Sequence, residues 1–197
     1  MQMQTKIQLR QSLLRKRSLL SQKEVEERSL AAGKRLFSLE EFQKGKIMLF
    51  YVSVKNEVST RQMIAHSLHS HKRVCVPLMI ERSFLSSEIH ALGELDRKSS
   101  FGIPEPSAIR DIVPNSIDVF IIPGIGFDRK GGRLGYGYGY FDSFLKKCEG
   151  LKVGLCYGFQ LVEDIPRESW DVGMDYVITE KEIVKVKRVG DSGKQKG

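Results

Sequence analysis

The chain has 197 residues, 41% of them hydrophobic, enough for one globular domain with a full core. Its +8 charge sits at the ends: residues 1–35 carry nine Lys/Arg against three Glu (+6), and residues 181–197 six against two acidic residues (+4). The 17 basic and 19 acidic residues between them leave a near-neutral body, which argues against a broad nucleic-acid face. No apolar run approaches the ~18 residues of a membrane span, and the basic N-terminus leads into no secretory signal core.

In chain order, a first helix is expected over residues 5–20. Ser21 and Glu24 have the form of a capping box and open a second helix to about Leu39. Residues 46–52 read as a near-continuous apolar strand. Ser59 or Thr60 is placed to cap a helix through Leu68, and residues 73–77 and 85–92 read as strands. A short buried strand at 119–122 leads into a glycine-rich loop and a helix to about Lys147. Residues 153–157 and 176–179 complete the strands, with an edge strand at 183–189. Continuous rather than alternating apolar runs indicate strands covered on both faces. The expected fold is α/β, a three-layer α/β/α sandwich with a mainly parallel sheet, as one domain over residues 1–189. Residues 190–197, polar and glycine-rich, are expected to form a disordered tail.

Cys75, Cys148 and Cys156 are odd in number and show no metal spacing, so they are expected to be reduced core residues of a cytoplasmic protein. His66, His69 and His71 have no acidic or thiol partner at ligand spacing and read as helix-surface and strand-entry residues.

Chemistry concentrates in residues 133–142, Arg-Leu-Gly-Tyr-Gly-Tyr-Gly-Tyr-Phe-Asp. Gly135, Gly137 and Gly139 allow successive amide groups to turn inward on an anion. The helix start that follows adds free N–H groups, and Arg133 supplies a fork that matches phosphate oxygens. The run lacks the Gly-Lys-Ser/Thr ending of a P-loop, and its third glycine comes one residue too early for the dinucleotide pattern. The bland alternative is a tight, tyrosine-decorated turn.

The first helix adds a second cationic element. At ~100° per residue, Lys6, Arg10 and Arg17 fall within an arc of about 40°. Leucines flank that arc instead of lying opposite it. Cations turned toward the body need anionic partners, either protein carboxylates or bound phosphate.

Together these elements resemble the 5-formyltetrahydrofolate cyclo-ligase family. The resemblance spans residues 6–180 and is most specific over 123–142. It is supported in order by Lys6-Ile7-Gln8-Leu9-Arg10, Asn56-Glu57-Val58-Ser59-Thr60, Gly102-Ile103-Pro104-Glu105-Pro106 and Asp171-x-x-x-Asp175. It implies ATP-dependent closure of 5-formyltetrahydrofolate to 5,10-methenyltetrahydrofolate, with release of ADP and phosphate.

The resemblance assigns ATP binding to Lys6, Ile7, Gln8, Leu9 and Arg10, with residues 1–39 contributing helices to that site. It also assigns ATP binding to Arg133, Leu134, Gly135, Tyr136, Gly137, Tyr138, Gly139, Tyr140 and Phe141. Lys6, Arg10 and Arg133 carry the catalytic charge. Val52, Glu57 and Phe101 contact the folate, and Asp142 with Asp175 holds Mg2+ as cofactor. The implied partners are small molecules, with no nucleic acid or membrane, and the implied state is a monomer.

Tyr138 stands where the family often has glycine or lysine, Phe141 replaces a frequent tyrosine, and Trp170 a frequent histidine. A different class of reading is a catalytically inactive cyclo-ligase-like module that binds RNA through the basic ends. A third is a sugar-phosphate enzyme, for which the sequence offers no paired acid and base in one motif.

Overall fold

A computed structural model describes residues 5–80 and 83–187. Thr5 and Ser21 each accept the backbone N–H three residues on, and Gln8 and Glu24 reach back to close two capping boxes. They open α1 (Lys6–Ser18) and α2 (Gln22–Ser38). There follow α3 (Glu40–Lys44), β1 (Ile47–Phe50), α4 (Arg61–His69), β2 (Arg73–Ile80) and β3 (Ser83–Ile89). The middle of the chain holds β4 (Arg97–Lys98), β5 (Pro104–Glu105), β6 (Val119–Pro123), β7 (Gly126–Asp128) and β8 (Arg133–Leu134). The chain continues through α5 (Tyr140–Leu145), β9 (Leu151–Leu155), β10 (Leu161–Val162), β11 (Tyr176–Ile178) and β12 (Ile183–Lys185).

Seven strands form one sheet in the order β12-β11-β9-β6-β1-β2-β3. The pairings from β11 through β2 are parallel, and the edge strands β3 and β12 run antiparallel. Alternation along each strand divides the core between the two faces. Met48, Phe50, Val119 and Ile121 pack with Leu36, Phe42, Met63 and Ile64 from α2, α3 and α4. Leu49, Phe120 and Ile122 pack with Phe144 and Leu145 from α5. The expected three-layer sandwich is therefore present, with its second helical layer thin.

The differences from expectation have local causes. β2 runs on to Ile80 through Pro77. Its pairing with β1 ends at Leu49 and Cys75, and beyond that point the ladder tolerates a residue without an N–H. Thr60 stands at the start of α4, but its hydroxyl donates to the Tyr51 carbonyl at 2.7 Å instead of capping the helix. α5 stops at Leu145, β3 ends at Ile89, and β9 begins two residues early, at Leu151. β12 covers Ile183–Lys185; residues 188–189 and the expected tail at 190–197 lie outside the described residues.

A second sheet, β10-β7-β8, has no counterpart in the sequence reading, because strands of two or three residues carry no periodic signal. α1 packs on it through Leu13, which joins Ile125, Leu134 and Ile165 in a separate apolar cluster. The three cysteines are buried and unpaired, and burial pushes Cys75 up to about 12 and Cys148 up to about 11. No described helix is long and apolar enough to cross a membrane.

The β7–β8 turn depends on one fully buried carboxylate. Asp128 accepts the Lys130 and Gly132 N–H groups at 2.8 and 2.7 Å and that of Ile165 at 3.0 Å, and it meets Arg167 at 3.2 Å. Asp128→Ala would leave three N–H groups without their acceptor and remove the Arg167 ion pair, so it is expected to destabilise the fold by about 3 kcal/mol in urea unfolding. A loss below about 1 kcal/mol would show that the turn holds without it.

Candidate active site

The carboxyl ends of β1, β2 and β6 open into a cleft of about 530 Å³, bordered there by Tyr51, Val52, Pro77 and Pro123. Ligand sites of parallel sheets form at this end of the strands. The other walls come from Lys6 and Arg10 of α1, Glu57 and its loop, Phe101, residues 133–142, and the acidic pair Glu168 and Asp171.

β8 fixes the base of the glycine–tyrosine loop. Gly137 and Gly139 have φ of 102° and 72°, left-handed angles that a side chain would strain. Arg10 clamps the loop from α1, its Nε donating to the Gly135 carbonyl at 2.9 Å. The Arg133 side chain is 6% exposed; its Nη2 donates to Asp142 Oδ2 at 2.7 Å and its guanidinium lies 5.7 Å from the Phe141 ring. Its Nε is buried and has no hydrogen-bond partner among the described residues. A buried donor without an acceptor, at the wall of a cleft, suits an oxygen that a ligand would bring. α5 is only six residues long, so its dipole adds little, and most of the positive character comes from side chains.

The cationic arc of α1 does turn inward, and its members find different partners. Lys6 Nζ stands 3.6 Å from both Glu168 and Asp171. Arg10 meets a carbonyl rather than a carboxylate. Arg17, 3% exposed, donates to the Tyr136 hydroxyl at 2.6 Å and lies 3.6 Å from Glu57 Oε1. Carboxylates therefore answer Lys6 and Arg17, while Arg10 holds the loop.

Glu57 is 8% exposed, and burial raises its carboxyl above the ordinary glutamate value. Its charge is supported by the Val54 N–H at 3.0 Å, by Arg17, and by the Tyr136 hydroxyl, which donates to Oε1 at 3.0 Å. The loop that presents it is strained: Lys55 and Asn56 have φ of 50° and 57°. Asn56 compensates by donating to the Leu20 carbonyl at 3.0 Å, and Tyr157 donates to the Glu57 carbonyl at 3.0 Å.

The sequence model of the 5-formyltetrahydrofolate cyclo-ligase family matches residues 2–180. The chain belongs to this family. It is 30% identical over 176 residues to the Escherichia coli (strain K12) 5-formyltetrahydrofolate cyclo-ligase, a match covering 85% of this chain and 96% of that one. Its fold is similar to the Aquifex aeolicus 5,10-methenyltetrahydrofolate synthetase, with a TM-score of 0.84, 35% identity and 93% of each chain covered. The Mycoplasma pneumoniae 5,10-methenyltetrahydrofolate synthetase is also similar, with a TM-score of 0.75 and 26% identity over 90% of this chain and 100% of that one.

Most residues assigned through the cyclo-ligase resemblance line this cleft: Lys6, Arg10, Val52, Glu57, Phe101, the whole run 133–141, and Asp142. Three do not. Ile7 is 63% exposed, Gln8 is occupied in the α1 capping box, and Leu9 packs against the Leu13 cluster. Phe101, 44% exposed, forms an aromatic group at the mouth with Tyr138 and Tyr140, whose rings stack at 5.7 Å.

Asp175 is not brought to the cleft. It precedes β11 at the amino end of the sheet, where Oδ2 accepts the Lys152 N–H at 2.8 Å. Asp171, four residues earlier, lines the cleft, and the neighbouring Val172 N–H reaches Asp142 Oδ1 at 3.4 Å. Among cyclo-ligase residues that sequence reasoning left without a role, Arg17 and Asp171 stand out. The arc on α1 and the Asp-x-x-x-Asp spacing were their available signals.

Proposed function

We propose that this chain closes 5-formyltetrahydrofolate to 5,10-methenyltetrahydrofolate, using ATP and releasing ADP and phosphate. One observation carries the reading. In a single cleft the phosphate-binding types Arg10, Arg133 and the glycine loop share the walls with Glu57, a buried carboxylate suited to pterin N–H donors, and Tyr136 of the loop donates to that carboxylate.

In this reading Lys6, Arg10 and the loop amides hold the nucleotide phosphates. Arg133, with its free buried Nε, stabilises charge on the γ-phosphoryl group as it passes to the formyl oxygen. Glu57 orients the pterin, Val52 packs against it, and Phe101 with the stacked tyrosines covers the aryl portion. Attack by N10 on the activated carbon then expels phosphate and a proton, where oxide would be a poor leaving group. The protein mainly positions reactants already bound side by side.

Asp142 and Asp171 offer hard oxygen donors on neighbouring segments, the type of set that Mg2+ accepts with phosphates and water. When bound, the ion would neutralise phosphate charge. Asp171 takes the part that the sequence resemblance gave to Asp175. The buried, unpaired thiols suit a reducing, cytoplasmic setting, and the near-neutral body suits small-molecule substrates rather than a nucleic acid.

Folded protein supplied with 5-formyltetrahydrofolate, ATP and Mg2+ is expected to build the methenyl-folate chromophore with equimolar ADP; no product would overturn the reading. Arg10→Ala removes a charge-assisted contact and is expected to raise the KM for ATP about 10- to 100-fold, with a smaller change for folate. An unchanged ATP requirement would remove Arg10 from the nucleotide site. Asp142→Asn keeps an oxygen for Arg133 and so avoids stranding a buried guanidinium. It is expected to raise the Mg2+ needed for half-maximal turnover at least about 10-fold, the cost seen even for outer-shell partners. A wild-type Mg2+ response would exclude Asp142 as a ligand.

A further inference from the structure

None of the steps above uses Arg17, although it is the most deeply buried cation of α1. A buried arginine costs several kcal/mol in desolvation unless its partners return it, and an apolar residue would fill the same space without that cost. Its surroundings explain the choice. Nη2 donates to the Tyr136 hydroxyl at 2.6 Å, the guanidinium stands 6.0 Å from the Tyr136 ring centre, and Nη1 lies 3.6 Å from Glu57 Oε1. The Tyr136 hydroxyl in turn donates to the same Glu57 oxygen at 3.0 Å. The three side chains form a closed triangle.

The corners of that triangle belong to different sites. Tyr136 follows Gly135, whose carbonyl Arg10 holds, so its position reports the position of the nucleotide loop. Glu57 sits on the strained loop assigned to the folate, and Asn56 ties that loop to the end of α1 through Leu20 and the Arg17 carbonyl at 3.0 and 3.4 Å. One helix thus grips the nucleotide loop with Arg10 and the folate loop with Arg17, and Tyr136 bridges the two. Arg17 Nη1 makes no hydrogen bond among the described residues, although Glu57 lies just beyond bonding distance. A small movement of either partner completes that bond.

We propose that Arg17 is a positioning residue that couples the two substrate sites, so that ordering the nucleotide loop through Tyr136 sets Glu57 for the pterin and each substrate tightens the other. This inference rests on the cyclo-ligase reading. Coupling between binding equilibria is reciprocal, so either ligand can report it. A purely static ion pair behaves differently: its loss weakens folate binding equally with and without nucleotide.

The test is calorimetric titration of 5-formyltetrahydrofolate with and without adenylyl imidodiphosphate and Mg2+. It uses wild type, Arg17→Lys, which keeps the charge but loses the fork, and Tyr136→Phe, which loses only the hydroxyl. Wild type is expected to bind folate about 5-fold or more tightly when the nucleotide analogue is present. Both variants are expected to fall within about 2-fold of no effect, with a rise in folate KM that exceeds the fall in kcat.

Variants that keep the wild-type tightening, or a wild type that shows none while still turning over, would overturn the coupling and leave the cyclo-ligase reading intact. Wild-type protein that binds neither ligand would overturn both. If Arg17→Lys does not fold, Tyr136→Phe decides alone, because its ring still fills the same space.

Discussion

Burying a carboxylate at the wall of a cleft costs several kcal/mol unless cations and donors reach it. Glu57 satisfies that constraint with groups from two remote parts of the chain, Arg17 from the first helix and Tyr136 from the glycine–tyrosine loop, and with the Val54 N–H from its own turn. The requirement brings α1 onto the body of the protein and holds the loop against it. With Arg10 on the Gly135 carbonyl and Leu13 in the apolar cluster beneath, the helix becomes one wall of the cleft. Helix, loop and the Glu57 turn are therefore parts of one electrostatic unit.

That unit stands on a frame that tolerates it. A parallel sheet buried on both faces leaves its strand ends open to loops, and Tyr51, Pro77 and Pro123 mark the carboxyl end here. The loop itself hangs from the β7–β8 hairpin, whose turn is organised by the hydrogen bonds of buried Asp128. Among the described residues, two of the three non-glycine residues with left-handed angles immediately precede the cleft carboxylate Glu57. Lys55 and Asn56 take left-handed angles beside Glu57, and Gly137 and Gly139 take them in the loop.

The acidic side of the cleft shows how spacing and placement differ. Asp171 and Asp175 are four residues apart, close enough to suggest a pair, but the chain between them descends toward the amino end of β11. Asp171 stays at the cleft beside Lys6, while Asp175 turns to the Lys152 backbone at the far end of the sheet. Arg133 and Asp142, nine residues apart, do meet, because the glycines between them fold the loop back on itself.

Local signals in the sequence determined a good deal by themselves. The capping boxes at Thr5 and Ser21, the apolar runs of β1 and β6, the burial of the three cysteines, and the inward turn of the α1 cations follow from contacts within a few residues or from the cost of exposing apolar surface. The cyclo-ligase resemblance assigned Arg10, Arg133, Glu57 and Asp142 to ligand binding, and all four line the cleft. Only the tertiary structure decided that Arg17 closes a triangle with Tyr136 and Glu57, that Asp171 rather than Asp175 faces the cleft, and that a second small sheet carries the loop. These outcomes depend on distant partners, 119 residues apart for Arg17 and Tyr136, and on strands too short to carry a period. No window of sequence contains them; they exist once the sheet has set which ends of the chain meet.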